Sequence, residues 1–426
     1  MSRPRALGRV VPLPVPAFPL PLLTRAAVPP VAQQVVPVPA AHRISLAVRL
    51  AFYFFVVSIP FEMPDRTIPI EIPTLTGLVF LVVALINLRS VYRRIPGAIL
   101  WFGVYLWFYG LSSMWNQSEH TDQVLFLFIS FVQLVLLGWA GSNVMRDPRA
   151  FRGAMLTFAI ACFVRAAMQV FGIAASYHAE WTGGVRTTVL GQNPNYSAII
   201  LSAGMVAVLN LRYRAIGWLM AGVIGVALIQ TGSRGGLMCA AAGALALLWH
   251  GRSLWARMRG VILGFVVLVL LAFAAFRSPM LAARFEEVIT EHNLAGRERI
   301  YPAVMSMIAE RPLLGWGPVE NQYEIAQRIA EQNLERRDAH NLLFELFSTT
   351  GILGAVPFLI GLALCIREAW RARLGPWKML PFALMVSVLV GCISGTWIAS
   401  KVLWFVIAVA LAGGAYVDRR PRACAE

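Results

Sequence analysis

The sequence predicts an all-α polytopic membrane protein with about twelve transmembrane helices. Apolar residues make up 58% of the 426 residues and charged residues only 14%, whereas a soluble domain needs about a quarter charged. Apolar stretches near the length of about 20 residues that crosses a bilayer recur from end to end. These runs are continuous, which favours helices over the short alternating segments of a membrane β-barrel.

The predicted spans follow the apolar runs in chain order. They cover residues 44–60, 73–88, 96–113, 124–144, 151–173, 195–211, 215–231, 234–249, 260–276, 340–366, 379–395 and 399–417. We divide the chain accordingly into a tail (1–42), spans 1 to 9 (43–276), a long loop (277–339), spans 10 to 12 (340–417) and a second tail (418–426).

Basic residues predict the orientation, because they accumulate in cytoplasmic loops. If both tails are cytoplasmic, 24 of the 37 Lys and Arg residues lie on that side. The short outer loops then hold only Arg66, Arg186, Arg234 and Lys401. We therefore expect both termini in the cytoplasm and the long loop outside. The net charge of +16 follows from this pattern, and no basic stripe with interleaved aromatics indicates nucleic acid.

The first tail contains ten prolines in residues 1–42. Helix cannot persist through that spacing, and an unbroken apolar core of a signal peptide is absent. Two interpretations remain: a disordered cytoplasmic tail, or a start codon placed too far upstream.

Within the long loop, the spacing predicts two amphipathic helices, near 297–310 and 319–336. The segment RPLLGWGP (311–318) separates them as a turn rich in Gly and Pro. Such helices lie on the bilayer surface or cover a cavity.

Unusual polar residues cluster on the predicted outer side, first in GGVRTTVLGQNPNYSA (183–198). Arg186 precedes a turn from which Asn193 or Asn195 can cap the next helix. A helix N-terminus suits phosphate, although plain capping explains the same residues equally well.

The second cluster is QTGSRGGLM (230–238), in which Ser233 is a predicted cap and Arg234 follows it. The helix dipole disfavours a cation there, so Arg234 requires an anion or a carboxylate partner.

In the long loop, Arg297 is a further candidate because it follows Gly296 directly, while Arg299 can be a solvated charge.

The third cluster opens span 10. His340 is either a proton acceptor near pH 7 or an interfacial histidine, and Asn341 follows it. Glu345 lies further inside the span, where a lone charge is costly. Arg165 in span 5 is at a comparable depth, and we expect an Arg165–Glu345 pair as a structural brace.

Several arginines and one histidine at one face of an uncharged bundle suit an anionic lipid carrying a diphosphate. No cluster of Asp, Glu or His has the spacing of metal ligands, so we expect no metal. The five cysteines have neither metal nor disulfide spacing and are expected to pack as small apolar residues.

These segments resemble the bacterial O-antigen ligase and polymerase superfamily of membrane glycosyltransferases. The ligase pattern is His, then Asn, Ser or Gln, nine residues, Gly, two residues, and Gly, Thr or Tyr. His340, Asn341, Gly351 and Gly354 match it at every step. Other segments that look like family segments are GQNPNYSA (191–198), TGSRGG (231–236), AGRERIYPAV (295–304) and RPLLGWGP (311–318).

The resemblance implies a GT-C-like fold and an O-antigen ligase. Such a ligase moves a polysaccharide en bloc from undecaprenyl diphosphate to a sugar hydroxyl of lipid A–core, at the periplasmic face of the inner membrane. No cofactor, metal or nucleotide is implied, and the partners are these two lipids and the surrounding membrane lipids. Attack opposite the diphosphate would invert the anomeric centre.

The resemblance also implies roles for individual residues. His340 would be the general base, Arg234 and Arg297 match the functional arginines, and Arg186 would contact the diphosphate by position. Further contacts to the substrate are expected from Asn193, Asn195, Ser233 and Asn341. The family's Arg-x3-Leu pattern is incomplete, because Tyr301 stands at the position of the leucine.

Three alternatives remain open. A polymerase of the same superfamily would extend the glycan on its own carrier. A relative that glycosylates proteins would need a binding region for its acceptor. A transporter or flippase of the lipid carrier would need polar groups across the whole membrane, whereas here they cluster near one face.

Overall fold

The described part of the chain is helical apart from one short hairpin. The structure is a computed structural model that describes residues 44–63, 71–179, 185–249, 296–329 and 335–417, with isolated positions between 255 and 290. The helices are α1 (Leu46–Ser58), α2 (Ile72–Ile86), α3 (Leu88–Val91), α4 (Gly97–Trp115), α5 (Thr121–Val144), α6 (Pro148–Val170), α7 (Pro194–Leu209), α8 (Arg214–Gln230), α9 (Arg234–Leu248), α10 (Arg297–Glu310), α11 (Glu320–Arg328), α12 (Leu342–Arg371), α13 (Leu380–Cys392) and α14 (Lys401–Ala415).

Each predicted span except the ninth coincides with a helix. Four stretches are long and apolar enough to cross a membrane, and shorter apolar helices accompany them; the four are Gly97–Trp115, Thr121–Val144, Pro148–Val170 and Leu342–Leu374. Of the ninth span (260–276), only Ile262 is described, and it is helical; the two tails lie outside the described residues. A helical membrane protein agrees with these findings, while the number of spans and the GT-C-like architecture stay predictions.

Large apolar side chains cover much of the outer surface of the bundle. Trp107 on α4 is 72% exposed, Leu219 on α8 is 70% exposed and Met238 on α9 is 64% exposed. Soluble monomers rarely expose apolar patches of this kind. The surface is therefore suited to the hydrocarbon of a bilayer.

A two-stranded antiparallel hairpin follows α6. Strand β1 (Ala175–Ala179) pairs with β2 (Val185–Val189), and His178 lies opposite Arg186. The sequence predicts only an outer loop here. The β-branched sequence of β2 is typical of a strand. With only five residues, it is too short to be predicted as a strand from the sequence. The hairpin holds Arg186 beside α7 and the end of α8.

Both amphipathic helices of the long loop are present, and the first has the predicted bounds. Ile300, Val304 and Met307 of α10 are buried against α11 and the segment before α12. The second helix, α11, ends at Arg328 and is shorter than predicted. Residues 330–334 of the prediction lie outside the described residues.

Helix α12 is broken at Gly351, and the loop between α10 and α11 enters the break. Gly351 has φ 60° and ψ −165°, which is not helical. Backbone amides of Trp316 and Gly317 donate to the carbonyls of Ser348 and Thr349 at 2.8 and 3.0 Å. From the other side, the amide of Ile352 donates to the carbonyl of Pro312 at 2.8 Å. The carbonyls and amides that the break exposes are thus paired with the loop, as burial requires.

Two glycines make this close approach possible. A Cβ at Gly351 would lie 2.3 Å from the backbone of Leu313, and one at Gly315 would lie 2.6 Å from the carbonyl oxygen of Ser348. Both glycines also have positive φ, which side chains disfavour. The interlocked loop and helix break explain why RPLLGWGP and the Gly351 position occur together.

We expect Gly351→Ala to destabilise the protein by about 1–3 kcal/mol, because the alanine would adopt a left-handed conformation against the backbone of Leu313. The measurement is thermal unfolding of the purified protein in detergent. Gly103→Ala is the control, since a Cβ there meets no atom within 4 Å. Equal stability of the two variants would contradict the interlock.

Candidate active site

The turn between α13 and α14 gathers residues that are distant in sequence; we call residues 393–396 the site turn. The Nδ2 of Asn341 donates to the carbonyl of Ile393 at 3.1 Å. One guanidinium nitrogen of Arg297 donates to the carbonyl of Ser394 at 2.8 Å. The start of α10 and the start of α12 therefore meet at one turn.

His340 lies at the same turn, one residue before the cap of α12. Its Nδ1 is 3.4 Å from Oδ2 of Asp338, and its side chain is 43% exposed. The hydroxyl of Thr396 donates to the same Asp338 oxygen. With an Nδ1 proton directed at this carboxylate, Nε2 would be the basic nitrogen. The hydroxyl of Thr396 thus joins this carboxylate to the site turn.

The backbone of His340 fixes this position as well. His340 has φ 50°, a conformation that few residues other than glycine adopt. Directly after it, Asn341 caps α12, since its Oδ1 accepts from the amides of Leu343 and Phe344 at 2.9 and 3.3 Å. The chain therefore turns sharply at the histidine before it enters the helix.

The first turn of α9, which contains Arg234, also reaches the site turn. Ser233 caps this helix as predicted, because its hydroxyl accepts from the amide of Gly236 at 3.2 Å. A Cβ at Gly235 would lie 3.0 Å from the Ser394 hydroxyl, so the first turn of α9 touches the site turn. Arg234 begins this helix and is half-buried.

Arg186 joins this group through two polar side chains. Its Nε donates to the carbonyl of Thr231 at 2.6 Å, and another nitrogen donates to Oδ1 of Asn195 at 2.8 Å. The hydroxyl of Ser233 donates to the same Asn195 oxygen at 3.1 Å. Asn195 thus links Arg186 to the start of α9, and Arg186 is only 5% exposed.

Asn193 caps α7. Of the two predicted caps, Asn193 and Asn195, the first is therefore confirmed. Its Oδ1 accepts from the amides of Asn195 and Tyr196 at 2.9 and 3.3 Å. That oxygen is committed to the backbone. The described bonds of Asn193 are therefore those of a helix cap.

The predicted Arg165–Glu345 pair is wrong. Arg165 donates instead to the side chains of Gln192 and Ser197, and it is fully buried. Glu345 accepts from the hydroxyl of Thr349 at 3.1 Å. The reason is the order of the helices: α6 packs against α7 and α8, whereas α12 packs chiefly against α4. Depth in the membrane alone did not reveal these neighbours.

A buried polar network that the sequence did not reveal lies behind the candidate site. Lys401 at the start of α14 is 2.8 Å from the Glu62 carboxylate and 3.4 Å from that of Glu71. Tyr196 donates to Glu62, and Gln192 donates to the carbonyl of Glu62. The segment after α1 and the start of α7 are thereby tied to the start of α14.

Ion pairs of one arginine, Arg328, join helices α10 and α11. Arg328 of α11 is 2.6 Å from the Glu310 carboxylate and 2.7 Å from that of Glu324. The hydrogen bonds from Arg328, followed by that from Ser306, lower the pKa of Glu310 to about 2. Glu310 is therefore ionised at neutral pH, so the ion pair between Glu310 and Arg328 keeps both of its charges.

Residues 215–359 match the family model described as O-antigen ligase. This stretch contains Arg234, Arg297 and His340 together with the interlocked loop and the break in α12. The match supports the interpretation that this chain is a member of the O-antigen ligase superfamily. A search of curated proteins gives no match.

We expect Lys401→Met to destabilise the protein by about 3–5 kcal/mol, because it leaves the carboxylate of Glu62 buried without its cation. The double variant Glu62→Gln/Lys401→Met removes both charges and should recover a large part of that loss. Thermal unfolding in detergent compares the three proteins. A double variant as unstable as the single one would contradict the pairing.

Proposed function

We propose that this member of the O-antigen ligase superfamily is a ligase. It transfers a polysaccharide en bloc from undecaprenyl diphosphate to a sugar hydroxyl of lipid A–core, at the periplasmic face of the inner membrane. The observation that carries the proposal is the site turn, at which the starts of α9, α10 and α12 meet with Arg234, Arg297 and His340.

The arginines bind and neutralise the diphosphate of the donor. Arginine forks make two-point contacts to phosphate oxygens, and charge held in a water-poor site stabilises a leaving group strongly. Arg297 bonds the carbonyl of Ser394, and Arg234 precedes Gly235, which approaches the Ser394 hydroxyl; these two arginines contact the phosphates. Arg186, held by the carbonyl of Thr231 and the side chain of Asn195, adds a further positive charge.

His340 removes the proton from the acceptor hydroxyl. The hydroxyl oxygen forms a bond to the anomeric carbon while the bond from that carbon to the phosphate oxygen breaks. The proton goes to Nε2 of His340, and the electron pair leaves with undecaprenyl diphosphate. Asp338 stabilises the imidazolium that results, and general base catalysis of this kind contributes about 10²–10⁴ in rate. Attack opposite the leaving group inverts the anomeric centre.

The membrane orientation is part of the proposal. Both termini lie in the cytoplasm, as the basic residues indicate, and the candidate site then faces the periplasm. Donor and acceptor lipids reach that site from the outer leaflet of the inner membrane. Neither a metal ion nor a nucleotide takes part in the step described.

Transfer by the purified protein tests the proposal. We mix the protein in detergent with lipid-linked O-antigen and lipid A–core, in the presence of EDTA and without nucleotide, and separate the products on a gel. A ladder of glycan-capped lipid A–core is expected. Bare core with a lengthened lipid-linked glycan would show a polymerase, and carrier movement across proteoliposomes without transfer would show a flippase.

His340→Ala should leave a folded, inserted protein whose transfer rate falls by about 10² or more. His178→Ala is the matched control, because His178 lies on the hairpin and bonds Thr188 at 3.0 Å instead of contacting the site turn. Size-exclusion elution and thermal unfolding check the fold of both variants. Near-normal transfer by His340→Ala would remove the histidine from the mechanism.

Arg234→Lys should lower transfer at least about tenfold, since a lysine keeps the charge but loses the two-point contact. Arg299→Lys, at an exposed position two residues after Arg297, should leave the rate unchanged. Initial rates at saturating acceptor compare the two. Full activity of Arg234→Lys would mean that charge alone suffices there.

A further inference from the structure

A cavity of about 460 Å³ opens at the end of the bundle opposite the candidate site. The loop between α7 and α8 forms one side of it, the last turn of α9 another, and the segment before α13 the third. Its lining includes Arg212, Arg214, Trp218, Leu247 and Lys378. The volume is in the range of ligand sites.

Three cations and no acid line this cavity among the described residues. Arg212, Arg214 and Lys378 are exposed, and within the described part of the chain no hydrogen bond or ion pair engages their side chains. At the same end of the bundle, by contrast, Arg371 is paired with Glu368 at 2.9 Å. The charge of Arg371 is therefore neutralised by Glu368. The charges of Arg212, Arg214 and Lys378 can instead attract an anionic ligand.

Helix ends add little to this field. Helices α8 and α13 begin at the cavity without a side-chain cap, and α7 and α9 end there. Partial positive and negative charges at the termini therefore offset each other. The attraction for an anion comes from the three side chains.

The remaining wall is apolar. Trp218 is 49% exposed, and Leu247 and Leu248 of α9 also line the cavity. A free phosphate or a soluble polyanion would gain nothing from this wall. An acyl chain would gain apolar contacts with this wall. Tryptophan is also common where lipid head groups meet hydrocarbon.

We propose that this cavity binds the head group of an anionic phospholipid. The phosphate contacts Arg212, Arg214 and Lys378, and the first methylene groups of an acyl chain lie against Trp218 and Leu247. Basic pockets between membrane helices bind anionic head groups in this manner. The site is separate from the transfer reaction and does not depend on the proposed function.

Thermal unfolding and native mass spectrometry of the full chain test the site. The protein is delipidated in detergent and titrated with phosphatidylglycerol, phosphatidylcholine or inorganic phosphate. Phosphatidylglycerol is expected to raise the unfolding temperature and to remain bound in the spectrometer, while the other two do neither. An equal effect of phosphatidylcholine, or of phosphate alone, would overturn the proposal.

The variant Arg212→Gln/Arg214→Gln/Lys378→Gln should bind phosphatidylglycerol about 10²-fold more weakly, at about fivefold per cation near a lipid surface. The matched control changes three exposed arginines at the same end of the bundle: Arg89→Gln/Arg93→Gln/Arg94→Gln. It has the same net charge as the cavity variant and should keep wild-type affinity. Equal losses in both would show attraction by overall charge and contradict a built site.

If the triple variant does not fold, Lys378→Gln and Trp218→Ala serve instead. Each removes one kind of contact, and Lys378→Gln should weaken binding about fivefold. Wild-type affinity in both single variants would also overturn the proposal.

Discussion

The break in α12 at Gly351 is the constraint on which the candidate site depends. A helix broken inside an apolar bundle exposes backbone groups that must be paired, and here the loop 312–317 pairs them. The loop joins α10 to α11, so both helices are fixed to the membrane helix by backbone hydrogen bonds. Side-chain packing alone would allow them to shift.

Two consequences follow from this attachment. The α10 end that carries Arg297 lies at the site turn, and the residues before α12 lie on the α10–α11 core, in which Ala339 is buried. His340 therefore enters α12 from a fixed position. Arg186 is held by α7 and the end of α8, so rigid elements support it as well. Preorganisation of this kind is what electrostatic stabilisation of a leaving diphosphate requires.

The sequence was sufficient for features that depend on local pattern. Apolar runs located the helices, because length and composition alone decide whether a segment suits a bilayer. Ser233 was predicted as a cap from its position before a helix, and Asn193 was one of two candidate caps together with Asn195. The spacing from His340 to Gly351 indicated a motif, although its physical meaning, a helix break filled by a loop, became clear only in the structure.

Features that depend on which helices are neighbours were not predictable. The site turn contributes two backbone carbonyls and the hydroxyl of Thr396, none of which stands out in the sequence. Arg165 was paired with Glu345 by depth, yet Gln192, a neutral residue in a loop, takes its hydrogen bonds. Glu62 and Lys401 are 339 positions apart, and nothing in either local sequence points to the other.

The central claim is that the arginines and His340 form one site for a lipid diphosphate. Cryo-electron microscopy of the protein in nanodiscs with undecaprenyl diphosphate tests it most directly. The account predicts diphosphate density in contact with Arg234 and Arg297, within reach of His340 for an acceptor sugar, with the break at Gly351 retained. Density for the diphosphate at the opposite end of the bundle, or away from the site turn, would contradict it.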